Sequence, residues 1–137
     1  MDTCWCSYWA CLVLYIIQIM NKADRHRFVA IMEIGCLACR LQFPDKNIDF
    51  SYTTDVHHIL NGGRRQSHQH TIGLCPWHHR GIIVDGAIPR ELMMDSKGPS
   101  LAHSRRIFES HFLPQDELLE WQNELIGEME APLNDSG

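Results

Sequence analysis

DVHHILNGGRRQSHQHTIGLCPWHHR, residues 55–80, is the stretch that decides the fold. Residues 50–60, which run into it, are rich in β-branched and aromatic side chains and predict a strand. The Asn-Gly-Gly run at 61–63 predicts a turn, and residues 71–74 predict the returning strand of a hairpin. The Cys75-Pro76 pair predicts the start of a short helix, because proline is favoured at the first helical position.

Two pairs of candidate metal ligands flank this hairpin. Cys36-x2-Cys39 precedes it and Cys75-x2-His78 follows it. Two residues between ligands let a tight turn aim both donors at one ion, and two such turns complete the tetrahedral shell of a structural zinc. The alternative is that the cysteines are small buried hydrophobes. A disulfide framework is disfavoured, since three Cys among paired His indicate thiolate and imidazole ligands in a reducing cytosol.

Two adjacent histidine pairs, His57-His58 and His78-His79, predict a second metal site. Neighbouring side chains of a strand point to opposite faces, so His57 and His58 can take different roles. We expect His57 to bind a divalent ion and His58 to activate water as the general base. In the second pair, His78 faces the zinc and His79 binds the divalent ion. An ion and a base together are what phosphodiester hydrolysis requires.

Several segments carry a family resemblance: GCLACR, HHI, GGR, H..TIGLCPWHHRG and GPSLAHSRRIFESHF. Together they resemble the HNH (ββα-metal) endonucleases and, more narrowly, the phage-encoded recombination enhancement (Ref) nucleases, over residues 22–112. The resemblance implies an α+β fold, a small ββα-metal core with a structural zinc knuckle and flanking helices. It also implies a metal-dependent endonuclease that hydrolyses DNA with one catalytic ion (Mg, Mn or Zn) in the bacterial cytoplasm. Cleavage at recombination intermediates with a RecA filament is a further implication.

The resemblance also implies roles for single histidines. His58 matches the general base, His57 the ligand before it, and His79 the ligand on the short helix. His70 lies where many HNH enzymes carry an asparagine that orients the base, so it is expected to orient His58 or to bind the metal.

The third protein ligand of the catalytic ion stays open. Many HNH enzymes carry another His or Asn four residues after the helix ligand, where this chain has Ile83. His70, His103 or water would complete the shell. We interpret His68 as a loop histidine, with a phosphate contact as the less favoured alternative.

Charge is unevenly distributed along the chain, whose net charge is −5. All 12 Lys and Arg lie within residues 22–111, where nine acids leave a balance of +3 before any histidine protonates. Residues 112–137 carry seven acids and no Lys or Arg. This asymmetry suits a DNA-facing surface with an acidic appendage. Arg64, Arg65 and Arg80 are candidate phosphate contacts, because a guanidinium matches a phosphate bidentately; solvated loop positions would look the same.

We divide the chain into an apolar N-terminal extension (1–21), an HNH nuclease domain (22–112) and an acidic C-terminal helix and tail (113–137). Residues 4–20, CWCSYWACLVLYIIQIM, contain no charge. They are interpreted either as an extension upstream of a start at Met20 or as a buried helix or strand. A membrane anchor is a third, less favoured hypothesis.

Three further helices are predicted from apolar periodicity. The first covers residues 22–34, with Phe28, Ile31 and Met32 on its apolar face. The second runs from about residue 100 through 108, after a loop-rich region, and the third covers residues 115–129.

The alternative function is a zinc-stabilised DNA-binding module without catalysis. It would share the zinc and the DNA partner with the nuclease, and it would differ in leaving DNA uncut.

Overall fold

The structure, a computed structural model, describes residues 20–45, 54–83 and 89–131. The predictions for residues 4–19, for residues 50–53 and for the tail beyond residue 131 lie outside the described residues. Within the described ranges, no helix is long and apolar enough to cross a membrane.

Helices and short strands follow one another along the described chain. The helices are α1 (Lys22–Ile34), α2 (Leu37–Gln42), α3 (Pro76–Arg80), α4 (Arg90–Lys97), α5 (Arg105–His111) and α6 (Gln115–Glu130). The strands are β1 (Asp55–His58), β2 (Leu60–Asn61), β3 (Arg64–Arg65) and β4 (Thr71–Leu74). The predicted α+β fold is confirmed.

The predicted hairpin is present, and α3 follows it directly. β1 pairs antiparallel with β4, with Asp55 opposite Leu74 and His58 opposite Thr71. β2 and β3 form a second small antiparallel ladder beyond it. All four residues of β4 are buried, whereas β1 is half-buried, so β4 is the strand that anchors the hairpin in the core.

Helices α1 and α6 pack against each other and against β4. The end of α1 approaches β4 closely, because a Cβ on Gly73 would lie 2.8 Å from the carbonyl oxygen of Gly35 and 2.9 Å from Cγ2 of Ile31. Gly35 ends α1 with a φ of 85°, a conformation that favours glycine. The chain therefore turns at Gly35, and the next residue, Cys36, lies beside the end of β4, close to Cys75.

A buried polar network ties both helices to β4. Arg27 is only 6% exposed. It donates from Nη2 to the carbonyl oxygen of Thr71 at 2.6 Å and from Nη1 to Oδ1 of Asn123 at 2.7 Å. The backbone N–H of Gly73 donates to Oε1 of the buried Gln122 at 3.0 Å. Buried polar groups of this kind need such partners, and here the partners connect three elements.

The predicted apolar face of α1 is partly wrong. Ile31 is fully buried, but Met32 is 51% exposed, and Phe28 is half-buried. The buried positions include Asp24 and Arg27 instead, because hydrogen bonds to β4 and α6 satisfy the guanidinium of Arg27. Apolar periodicity alone does not detect a polar residue buried in this way.

Two other boundaries differ from prediction. The helix predicted from about residue 100 begins at Arg105 as α5, because the Oγ of Ser104 accepts from the backbone N–H of Ile107 at 3.3 Å and caps it. The predicted loop-rich region contains the eight-residue helix α4. Only Met93 of this helix is buried, so apolar periodicity did not predict it. The predictions for α1 and α6 are confirmed to within one residue.

Candidate metal centre and active site

The two predicted ligand pairs meet in one buried cluster. The Sγ atoms of Cys36, Cys39 and Cys75 lie 3.4, 3.4 and 3.2 Å from Nδ1 of His78. The Sγ atoms of Cys39 and Cys75 are 3.8 Å apart. A tetrahedral ion with metal–sulfur bonds of about 2.3 Å, the length found for zinc, gives a sulfur–sulfur edge of about 3.8 Å. The cluster therefore has the dimensions of a tetrahedral metal site.

Local structure presents these four ligands. Cys36 and Cys75 are the N-cap residues of α2 and α3, and the Sγ of Cys36 accepts from the backbone N–H of Cys39 at 3.4 Å. Nε2 of His78 donates to the carbonyl oxygen of Lys97 at 2.7 Å. This bond puts the proton on Nε2 and leaves Nδ1 for a metal, as the outer partners of metal-binding histidines usually do.

The ionisation of the thiols supports the same conclusion. Burial raises the pKa of the Cys36 thiol well above its ordinary value, whereas hydrogen bonds from Cys36 and Cys39 lower the pKa of Cys75. Burial therefore disfavours a thiolate at Cys36 unless a cation lies beside it. A bound dication stabilises all three sulfurs as thiolates, so the donor set fits a structural metal.

One histidine of each adjacent pair, His57 and His79, belongs to a second cluster. His57 of β1 and His79 of α3 have ring centroids 5.0 Å apart. Nε2 of His57 donates to Oε1 of Gln115 at 2.8 Å, and Nδ1 of His79 donates to Oδ2 of Asp55 at 3.0 Å. Because the amide oxygen and the carboxylate only accept, these bonds leave a lone pair on Nδ1 of His57 and on Nε2 of His79. The expectation that both residues bind a divalent ion stays a prediction.

Burial favours the neutral forms of two imidazoles, those of His57 and His58. Burial lowers the pKa of His57 below its ordinary value of 6.5. Burial also lowers the pKa of His58, and the positive charge of Arg65 adds to the effect. Neutral imidazole is the form that binds a metal or accepts a proton.

Asp55 is a site residue for which the sequence analysis gave no role. Its carboxylate accepts from His79 and also from Nε of Arg80 at 2.8 Å. The signal was available, since the two-residue period of a strand puts Asp55 and His57 on one face of β1. The guanidinium of Arg80 is thus engaged in an ion pair, and its predicted phosphate contact stays a prediction.

His58 and His70 do not contact each other through their side chains in the way that the resemblance implies. Nε2 of His58 lies 3.0 Å from Nδ1 of His68. Nδ1 of His70 lies 3.0 Å from Oγ of Ser67. The residue beside the expected base is therefore His68, which the sequence analysis interpreted as a loop histidine, and the roles expected of His70 stay predictions.

The other predicted site residues lie on different segments, His103 in a turn before α5 and Arg64 and Arg65 on β3. His103 packs against α3, with its ring 5.3 Å from that of Trp77 and its Cε1 3.1 Å from where a Cβ of Gly81 would be. Its role as a ligand stays a prediction. Arg64 and Arg65 are exposed on β3, where a phosphate could reach them.

A comparison with protein families identifies the chain. It matches the model of the family described as recombination enhancement, RecA-dependent nuclease, over residues 21–127, which is well over half of its length. The chain belongs to this family of RecA-dependent nucleases. Neither the curated proteins nor the solved structures that were compared with it include a match.

The match to the RecA-dependent nuclease family extends through most of α6 and so includes Gln115. Nε2 of Gln115 donates to Oε1 of Glu109 at 3.3 Å, which turns its Oε1 towards His57. Glu109 also accepts from Nε of Arg105 at 2.9 Å. Gln115 was not among the predicted site residues, because its only signal in the sequence is a polar residue at the start of an apolar stripe.

Proposed function

We propose that this chain is a metal-dependent HNH endonuclease that hydrolyses DNA phosphodiester bonds. The observation that carries the proposal is the 5.0 Å separation of His57 and His79, which come from different elements and each have one ring nitrogen engaged by an acceptor. The antiparallel β1–β4 pair followed by α3 supports the HNH assignment. The family, one of nucleases, supports the activity.

The residues divide the chemistry among them. Nδ1 of His57 and Nε2 of His79 would hold one divalent ion (Mg, Mn or Zn), which when bound neutralises the scissile phosphate and the leaving oxygen. His58 accepts the proton of the attacking water, and its lowered pKa keeps it neutral and able to do so. Water completes the ion's shell better than His70 or His103, whose side chains contact Ser67 and Trp77.

We assign the cluster of Cys36, Cys39, Cys75 and His78 to structural zinc. Three thiolates and one imidazole are a common zinc donor set, and a closed four-ligand shell is typical of structural rather than catalytic zinc. The zinc would hold α2 against the start of α3, and so hold His79 in place.

DNA and a RecA filament are the proposed partners, in the cytoplasm of a bacterial cell. The family's description names RecA dependence and recombination. Arg64 and Arg65 are exposed on β3, and the charge of Arg65 acts on His58, so both would supply positive charge where a DNA backbone approaches.

The test is plasmid cleavage with magnesium or manganese, with and without RecA filaments. We expect His58→Ala to lower the cleavage rate at least about a hundredfold, in line with the loss of a general base, and to retain the metal and the fold. His26→Ala is the matched control, because His26 is an exposed histidine paired with Glu130 on the surface.

Two outcomes would contradict the proposal. Unchanged cleavage by His58→Ala would remove His58 from its role. A wild-type protein that binds DNA but cuts it under none of these conditions would favour the alternative, a zinc-stabilised DNA-binding module.

A further inference from the structure

We propose that His68, rather than His70, positions the general base His58. The proposal rests on the proposed function and adds a residue to it. Nε2 of His58 and Nδ1 of His68 are 3.0 Å apart, which is a hydrogen-bond distance between two nitrogens that share one proton. The side chain of His70 is instead bonded to Ser67.

The direction of this hydrogen bond decides whether His58 can act. If Nε2–H of His58 donates, Nδ1 of His58 keeps its lone pair and can take a proton from water. If Nδ1–H of His68 donates, Nε2 of His58 accepts that hydrogen bond and Nδ1 of His58 carries the hydrogen of its own ring. Neither nitrogen of His58 can then take a proton from water. His68 must therefore be the acceptor, with its own hydrogen on Nε2, where its exposed ring meets water.

His68 is held in place by hydrogen bonds from its own loop to α1. Oγ1 of Thr71 donates to the carbonyl oxygen of His68 at 2.7 Å, and Nε of the buried Arg27 donates to that same Oγ1 at 2.9 Å. The next residue, Gln69, donates from Nε2 to Oδ1 of Asp24 at 2.9 Å. A loop fixed at these points can hold an imidazole in one position although its ring is exposed.

Phe28 of α1 adds a packing contact to both imidazoles. Its ring lies edge-on to His68 with centroids 5.4 Å apart, and edge-on to His58 with centroids 6.2 Å apart. Such contacts restrict the ring planes. The same helix thus supplies the hydrogen bonds that fix the loop and the side chain that packs against the histidine pair.

The experiment combines a tautomer measurement with kinetics. Long-range ¹H–¹⁵N NMR of the protein with its structural zinc bound and no added magnesium or manganese is expected to show His58 protonated at Nε2. The variant His68→Ala should show a mixture of His58 tautomers. In plasmid cleavage, His68→Ala should lower kcat about 10- to 100-fold with KM unchanged, by analogy with the loss caused by removing the outer partner of a metal-binding histidine. His68→Asn should recover most of kcat, because its Oδ1 can accept near the position of Nδ1.

The controls separate the possible failures. His26→Ala should leave kcat and the tautomer of His58 unchanged. A larger kcat loss in His70→Ala than in His68→Ala, with the His58 tautomer unchanged in His68→Ala, would overturn the proposal. A raised KM with unchanged kcat would also overturn it, by making His68 a DNA contact. Failure of the wild type to cut DNA would refute the proposed function itself.

Discussion

Nε2 of His57, on the first strand of the hairpin, donates a 2.8 Å hydrogen bond to Oε1 of Gln115, the first residue of the last helix. The two residues are 58 positions apart in the chain. Glu109 accepts a hydrogen bond from Nε2 of Gln115. This bond fixes the orientation of the amide, so that its Oε1 faces His57. The acidic C-terminal helix therefore contributes directly to the position of a proposed metal ligand.

Gln115→Ala should weaken binding of the catalytic ion. The variant removes the acceptor that holds the proton of His57 on Nε2, and loss of such an outer partner typically costs about 10- to 100-fold in metal affinity. Titration of the protein with manganese in the absence of DNA measures this. Gln66→Ala, at an exposed loop position, should bind manganese like the wild type. Equal affinities for all three proteins would show that Gln115 is not needed to orient His57.

Asp55→Asn should weaken binding of the same ion, because it weakens the hydrogen bond that orients His79. The neutral amide accepts less strongly from Nδ1 of His79, so we expect a loss of affinity of about tenfold or more. Arg80→Gln removes the other partner of Asp55 and should leave manganese affinity close to that of the wild type. If Arg80→Gln lowered the manganese affinity as much as Asp55→Asn does, the ion pair between Arg80 and Asp55, rather than the hydrogen bond between His79 and Asp55, would support the ion.

The adjacent residues His78 and His79 should separate the two metal sites. His78→Ala removes one of four ligands from the buried cluster, and structural zinc contributes on the order of 10 kcal/mol to folding in small domains. We expect this variant to purify without stoichiometric zinc and to lose its cooperative unfolding transition. His79→Ala should retain one zinc per chain and the fold while losing cleavage. Metal analysis measures the zinc content of each variant, and thermal unfolding measures its cooperative transition. Loss of zinc from both His78→Ala and His79→Ala would contradict the assignment of the two residues to separate metal sites.

Stability should fall as the pH drops below 6.5. The folded protein holds the pKa values of His57 and His58 below that ordinary value, with burial as the main cause. The unfolded chain therefore binds more protons than the folded one between the lowered pKa values and 6.5, so the free energy of unfolding rises with pH through this window and then levels off. Denaturant unfolding of the zinc-loaded protein, from about pH 6 to about pH 8, should follow this course. His57→Gln should make the free energy of unfolding depend less steeply on pH. An equal slope in the wild type and in this variant would contradict the prediction.

Local patterns accounted for most of the individual elements. The turn at residues 61–63, the proline after Cys75 and the spacing of the ligand pairs each depend on a few neighbouring residues, and the hairpin, α3 and the four-residue cluster all appeared as predicted. The apolar face of α1 failed at Met32 and Arg27, because the burial of a guanidinium depends on acceptors supplied by β4 and α6.

The sequence by itself determined the α+β class, the cluster of Cys36, Cys39, Cys75 and His78, and the direction of the two side chains of each histidine pair towards different partners. These follow from backbone geometry over short spans, where a fixed number of residues fixes the direction of a side chain. Only the tertiary structure decided the partners of the site imidazoles: Gln115 for His57, His68 for His58 and Asp55 for His79. Those partners depend on how α1, α6 and the hairpin pack, and packing is the sum of many distant contacts that no short motif encodes.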